Sequence, residues 1–168
     1  MNYIAELTAN RSRSNMDRLA KAIGDDPHEF KKIIDIIYHE QEPLPHRASW
    51  LLTIISQKHP QLIKPHAAKF IDTITEFKND GIKRHMLRAL CTQQLPEKSK
   101  GKAITICFDF ILSRTETVAV KVFALEMLSG LMKQYPELKN ELKAAIEDQL
   151  PKTTVAFHSR AKKILKKL

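Results

Sequence analysis

Arg47, Arg84, Lys121 and His158 are the residues best placed to do chemistry, and each stands 37 positions after the last. Cationic heads at a fixed interval suit two tasks. They can line a track for phosphate groups, because guanidinium and ammonium donors hold oxyanions through charge-assisted hydrogen bonds. They can also form a structural ladder that stitches turns to helices. The neighbours favour the ladder. Trp50, Leu87, Ala124 and Ala161 lie three residues on, and Ile54, Cys91, Leu128 and Leu165 lie seven on. Those spacings share one helix face with the column, so its heads are expected half-buried beside the core. Like charges in such a seam need acids between them.

Other reactive residue types give less. Asp35, Asp72 and Asp109 repeat at the same interval, opposite the isoleucine stripe of their helices, which points them to solvent. Set about 10 Å apart, as neighbouring helices are, they are too distant to share a metal or act as an acid–base pair. The seven histidines fit no ligand spacing, and read as isolated surface residues. His46 beside Arg47 and His85 beside Arg84 are the exceptions that give adjacent helices a mixed basic surface. There is no Gly-x-Ser-x-Gly, P-loop or Gly-x-Gly-x-x-Gly. No catalytic residue, cofactor or metal site is expected.

The elements that must position these residues follow from the repeat itself. A fixed period of 37 residues signals a solenoid in which each unit buries its apolar face on its neighbours. First helices keep register as well, through Ile33, Phe70, Cys107 and Ala144, through Ile34, Ile71, Phe108 and Ala145, and through Ile37, Ile74 and Ile111. The third column fails at Asp148, where Ile146 and Leu150 are expected to take over the buried face. Prolines 43, 45, 60, 96, 136 and 151 punctuate the helices. The expected helices run from Asp26-Pro27 to about His39 and on to Lys58, then Pro65–Lys78, Asp80–Gln94, Lys98–Ser113, Thr115–Gln134, Glu137–Leu150 and Thr153–Lys167. The first 24 residues break the period, since Arg13 falls where a core residue should be. They are read as a cap: a short helix over 1–8, then a helix with Ser14 as N-cap, Met16, Leu19, Ala20 and Ile23 inward, and Gly24 as its stop. The fold expected is one all-α domain over 1–168. It is a right-handed α–α superhelix of four helix pairs (about 26–60, 61–96, 97–136 and 137–168) behind an N-terminal cap over 1–24.

Helix pairs of this length, with a basic residue early in the second helix, a small residue at +3 and an aliphatic at +7, resemble HEAT repeats of the armadillo/HEAT superfamily. Lys121 with Ala124 and Leu128, and His158 with Ala161 and Leu165, carry the pattern; Trp50 and Leu87 depart from it. The resemblance implies that an acid or amide in the inter-helix turn pairs with the basic residue. Glu42, Asn79 (or Asp80) and Glu116, each five residues ahead of the column, are the candidates, and Thr153 breaks the series before His158. That last rung is expected to be the weakest.

Composition bounds the function. The 168 residues are 43% hydrophobic and 28% charged, with 4 Gly against 8 Pro and only two cysteines, Cys91 and Cys107. That suits a soluble helical domain with reduced thiols, and the expected location is cytoplasmic, with no secretory signal and no membrane insertion. The net charge of +9 lies mostly in the second half, which holds +7, and Lys152, Arg160, Lys162, Lys163, Lys166 and Lys167 meet no acid near the end. A protein or peptide partner is expected on the surface formed by the second helices, through His46, Trp50, Lys83, His85, Arg88, Arg160, Lys162 and Lys163. Trp50 replaces a small residue and either fills the gap beside the cap or lines a pocket. The alternative is a nucleic-acid-binding protein with a basic concave face. The HEAT-like alkylpurine DNA glycosylases offer an analogy for it in fold and charge. Basic residues clustered on the concave face would raise that alternative; residues spread over the convex face and the C-terminal cap would lower it.

Overall fold

Ten α-helices and no strand make up residues 1–167, which are those described by the computed structural model. Leu168, the last residue of the fourth expected unit, lies outside them. The cap supplies α1 (Tyr3–Ala9) and α2 (Arg13–Ile23). First helices are α3 (Pro27–His39), α5 (Ala67–Thr73), α7 (Glu97–Leu112) and α9 (Lys139–Gln149). Second helices are α4 (Leu44–Lys58), α6 (Asp80–Leu90), α8 (Val118–Leu131) and α10 (Val155–Leu165).

Local chemistry sets the helix ends. Asp26 accepts from the His28 and Glu29 amides while Pro27 occupies the first turn, so α3 begins where its sequence says. Glu29 does not fold back to complete a capping box; it accepts from Lys32 and from the Tyr3 hydroxyl at 2.6 Å, tying α1 to α3. The N-cap of α2 is Ser12, not Ser14, and Gly24 stops the helix at φ +55°, in the left-handed region that glycine tolerates. Five of the repeat helices are shorter than expected: α5, α6, α8, α9 and α10. Of these, α9 and α10 each begin two residues late and end one or two early. α5 is flanked by 3₁₀ turns at Lys64–His66 and Ile74–Glu76. Pro65 lies in the first of these turns, and the Thr73 hydroxyl donates back to the Lys69 carbonyl at the end of α5. α6 stops at Leu90, ahead of the extended conformation that Pro96 imposes on Leu95. α8 starts late because the Ser113 hydroxyl accepts from the Thr115 and Glu116 amides at 3.1 Å and holds them in a turn.

The second helices form a continuous layer, with α4 against α6, α6 against α8 and α8 against α10. The first helices lie behind it: α3 packs on α4, α5 on α7, and α7 on both α8 and α9. α1 and α2 seal the open side of α4, burying Leu7, Met16, Leu19 and Ile23. The repeat columns fill the core between the layers: Ile33, Phe70, Cys107, Ile37, Ile74 and Ile111 are all at most 1% exposed. The register slips at the fourth unit. Ala144 is exposed, and Leu142, Ala145, Ile146 and Gln149 form the buried stripe of α9. Ile146 takes over as expected, but Leu150 is only half-buried because the helix turns 3₁₀ there.

Candidate functional site

The column residues do not meet the acids five positions ahead of them. Lys121 is buried and donates to the Ser113 carbonyl at the end of α7 and to Gln149 Oε1, both at 2.6 Å. The exposed His158 sits 2.6 Å from the Leu150 carbonyl through Nε2, again eight residues back. Arg47 Nη1 donates to the Leu7 and Thr8 carbonyls of α1, at 2.7 and 3.1 Å. Three of the four thus bind carbonyls at or just past the end of a preceding helix, where four backbone acceptors have no intrahelical donor and the dipole favours a cation. Burial pushes the Lys121 amine below its ordinary range. Arg84 instead donates through Nη2 to its neighbour His85 Nε2 at 2.9 Å.

The acids join turn to turn. Glu42 accepts from Asn79 Nδ2 at 2.7 Å, linking the α3–α4 turn to the start of α6. Asn79 in turn caps α6 by accepting from the Gly81 amide. Glu116 pairs with Lys83, not with Lys121, the column residue five positions on.

Two residues expected on the exposed binding surface are interior. Lys83 is 9% exposed because it turns down to Glu116 and Asp80, and His85 is 5% exposed because its ring is closed in between α4 and α6. An Arg guanidinium donates and cannot accept, so His85 Nε2 carries the lone pair and Nδ1 carries the proton. Nδ1 then donates to Ser49 Oγ at 2.9 Å, and Ser49 donates to the His46 carbonyl at 2.7 Å. Burial first, then the cations around it, pushes His85 down to about 3, so the ring is neutral. His46 stacks on it with centroids 5.5 Å apart and an interplanar angle of 17°. Gly81 permits this close approach, since a Cβ there would come within 2.4 Å of His46 Nε2.

This assembly walls a cavity of about 390 Å³ between the cap and the first two second helices, lined by Arg11, His46, Arg47, Trp50, Arg84 and His85. Trp50 is half-buried there. A larger groove, of about 930 Å³, runs along the C-terminal halves of α4, α6 and α8 to α10 and the α8–α9 linker. Arg88, Lys133, Lys139, Arg160 and Lys167 line it, with Phe123 and Met132 as apolar wall. Its acid, Glu126, already accepts from Arg160 at 2.7 Å. The Cys91 thiol also lines the groove, but burial pushes it up to about 12, which keeps it protonated and unreactive. Arg84, Arg88 and Cys91 follow one stripe of α6, so the cavity and the groove open on the same face a turn apart. Lys162 and Lys163 are exposed outside both hollows. Arg11, Ser49, Phe123, Lys133 and Lys139 were not singled out by residue type or spacing, whereas Lys167 belongs to the basic terminal stretch. Arg11 lies in the irregular cap, and the linker lysines lie outside the 37-residue register. Among the described residues no three His, Cys, Asp or Glu gather as a metal set, and no helix is long and apolar enough to cross a membrane.

A model of the HEAT repeat domain matches residues 3–168. The chain belongs to the HEAT repeat family. Comparison with curated proteins and with solved structures returns no match. As a HEAT repeat domain, the chain is a helical-repeat scaffold, and its cavity and groove both lie on the layer of second helices.

Proposed function

We propose that this HEAT repeat domain is a non-catalytic binding module whose second-helix layer takes an acidic segment of a protein partner. The carrying observation is how charge divides between the layers. Helices α4, α6, α8 and α10 hold nine Lys and Arg against two Asp and Glu, whereas α3, α5, α7 and α9 hold eight of each. Without the interior Lys83 and Lys121 the second layer still holds seven cations against two acids, an excess that suits a polyanion, an acidic chain or a nucleic acid, and speeds its encounter. Phe123 and Met132 favour a peptide over a duplex, because they offer apolar contact that a sugar–phosphate backbone does not use. The column also makes a poor phosphate track, because Lys121 is turned inward and spent on the ends of α7 and α9.

Fluorescence anisotropy with the full chain tests this, using a labelled Glu- and Asp-rich peptide that carries one or two leucines, its neutral scramble, and a generic DNA duplex. The acidic peptide should bind and the scramble should not, and the double variant Arg88→Glu/Lys133→Glu should weaken binding at least about tenfold. Duplex binding tighter than peptide binding, with log K falling steeply against log salt as several phosphate contacts require, would overturn the reading in favour of nucleic acid.

A further inference from the structure

We propose that the Trp50 cavity is a phosphate-recognition site that takes a phosphorylated serine or threonine side chain of the partner segment. It rests on the groove reading only for the peptide that carries the phosphate.

The first support is the company the arginines keep. Of eight arginines, Arg13, Arg18 and Arg160 are salt-bridged, and five have no carboxylate partner among the described residues. Three of those five, Arg11, Arg47 and Arg84, face this one cavity, whose lining contains no acid. Gathering like charges around a hollow is unfavourable until an oxyanion enters, and the guanidinium fork matches a phosphate in shape as well as charge.

The second support is that two of these heads are held in place. Arg47 is fixed through Nη1 by the two carbonyls at the end of α1. Arg84 is fixed through Nη2 by His85, itself held by Ser49. Each anchor takes one nitrogen, and the remaining guanidinium nitrogens have no partner among the described residues. A neutral, buried histidine accepting from an arginine orients that arginine without neutralising it. A carboxylate in the same place would cancel the charge the site needs. Heads positioned before the ligand arrives spare the ordering cost of binding.

The third support is size and placement. About 390 Å³ is within the usual range for a small-ligand pocket and admits a phosphorylated side chain against the Trp50 wall. A phosphoserine or phosphothreonine brings close to two negative charges where glutamate brings one, which suits three guanidiniums. Arg88 follows Arg84 by one turn of α6, a rise of about 6 Å, or roughly two residues of extended chain. A peptide seated by its phosphate would thus enter the groove directly. The cationic column does not continue as a track, so the site reads one phosphate and not a succession of them.

Trp50 is the protein's single tryptophan, so its emission reports this cavity alone. The test titrates the full chain with three forms of one acidic peptide, carrying phosphoserine, glutamate or serine at a single position, and with a single-stranded oligonucleotide. The phosphoserine form should change Trp50 emission saturably and bind about tenfold tighter than the glutamate form. Arg84→Gln should bring that preference to within about twofold, as should Arg11→Gln in the exposed cap linker, while Arg88→Gln should weaken all three peptides alike. If the acidic peptides bind through Arg88 but phosphorylation adds nothing at Trp50, the inference is overturned and the groove reading stands. If free phosphoserine moves Trp50 in an Arg84-dependent way while no acidic peptide binds the groove, the phosphate site stands and the groove reading falls. A larger Arg84-dependent response to the oligonucleotide than to the phosphopeptide overturns the assignment to a protein partner.

Discussion

First and second helices come from the same repeat and share one core, yet they handle charge in opposite ways. On the outer face of α3, Lys31 pairs with Asp35 four residues on, with both side chains about half exposed. Lys102 of α7 reaches Asp72 of α5 under similar exposure. These pairs lie in water and neutralise one another locally. In the second layer Lys83, Glu116 and Lys121 go inside and Arg160 pairs with Glu126, while Arg47, Arg84 and Arg88 have no carboxylate partner among the described residues. The difference teaches that one layer uses charge for solubility. The other uses it for joining units and leaves a remainder free for a ligand.

Deleting charges layer by layer sharpens the contrast. The largest effect belongs to Glu116→Ala, because Lys83 and Glu116 are each only 11% exposed at the side chain and Lys83 would retain only Asp80, at 3.6 Å. A loss of about 3 kcal/mol is expected in urea melts, with much of it recovered in Glu116→Ala/Lys83→Met. His85 gives the next. Its folded pKa of about 3 lies below the 6.5 of an unfolded chain, so below pH 6.5 the unfolded state takes up a proton that the folded state refuses. Stability is therefore complete above 6.5 and lost as pH falls towards 3. Between pH 6.5 and 5 the wild type should lose about 2 kcal/mol more than His85→Gln, which keeps an acceptor for Arg84 but does not titrate. Equal slopes for the two proteins would show that His85 protonates freely. The smallest effect is expected in the first layer, where Lys31→Ala or Asp35→Ala should stay within about 0.5 kcal/mol of wild type. A cost there matching that of Glu116→Ala would erase the distinction between the layers.

The 37-residue register made the helix order, the cap and most of the core legible, because burial on a helix face depends on spacing alone. Helix ends were less so. Ser113 and Thr73 settle them through hydroxyl bonds to backbone, which compete with helix propensity over one or two residues. The sites were read least well. Lys83 and His85 are polar residues at positions that the repeat does not mark as core, and only the partner across the turn or across α4 decides that they point inward. The column showed which residues act together but not what they hold. Carbonyls carry no signal in a sequence, whereas the acids five residues ahead did and drew the expectation to themselves. The layer asymmetry was hidden as well, because charge tallied by halves of the chain mixes both layers.

A stack of repeats frays from its ends, since each terminal element has a neighbour on one side only. At the N-terminal end Arg47 is the latch, gripping the last carbonyls of α1 while its remaining nitrogens face the cavity. One guanidinium therefore serves two clients. Closing of the cap and filling of the cavity are thermodynamically linked through it, and whatever factor the first adds to the affinity of the second, the second returns to the first. Breathing of the end of this stack is in that sense a dial on what its face can hold.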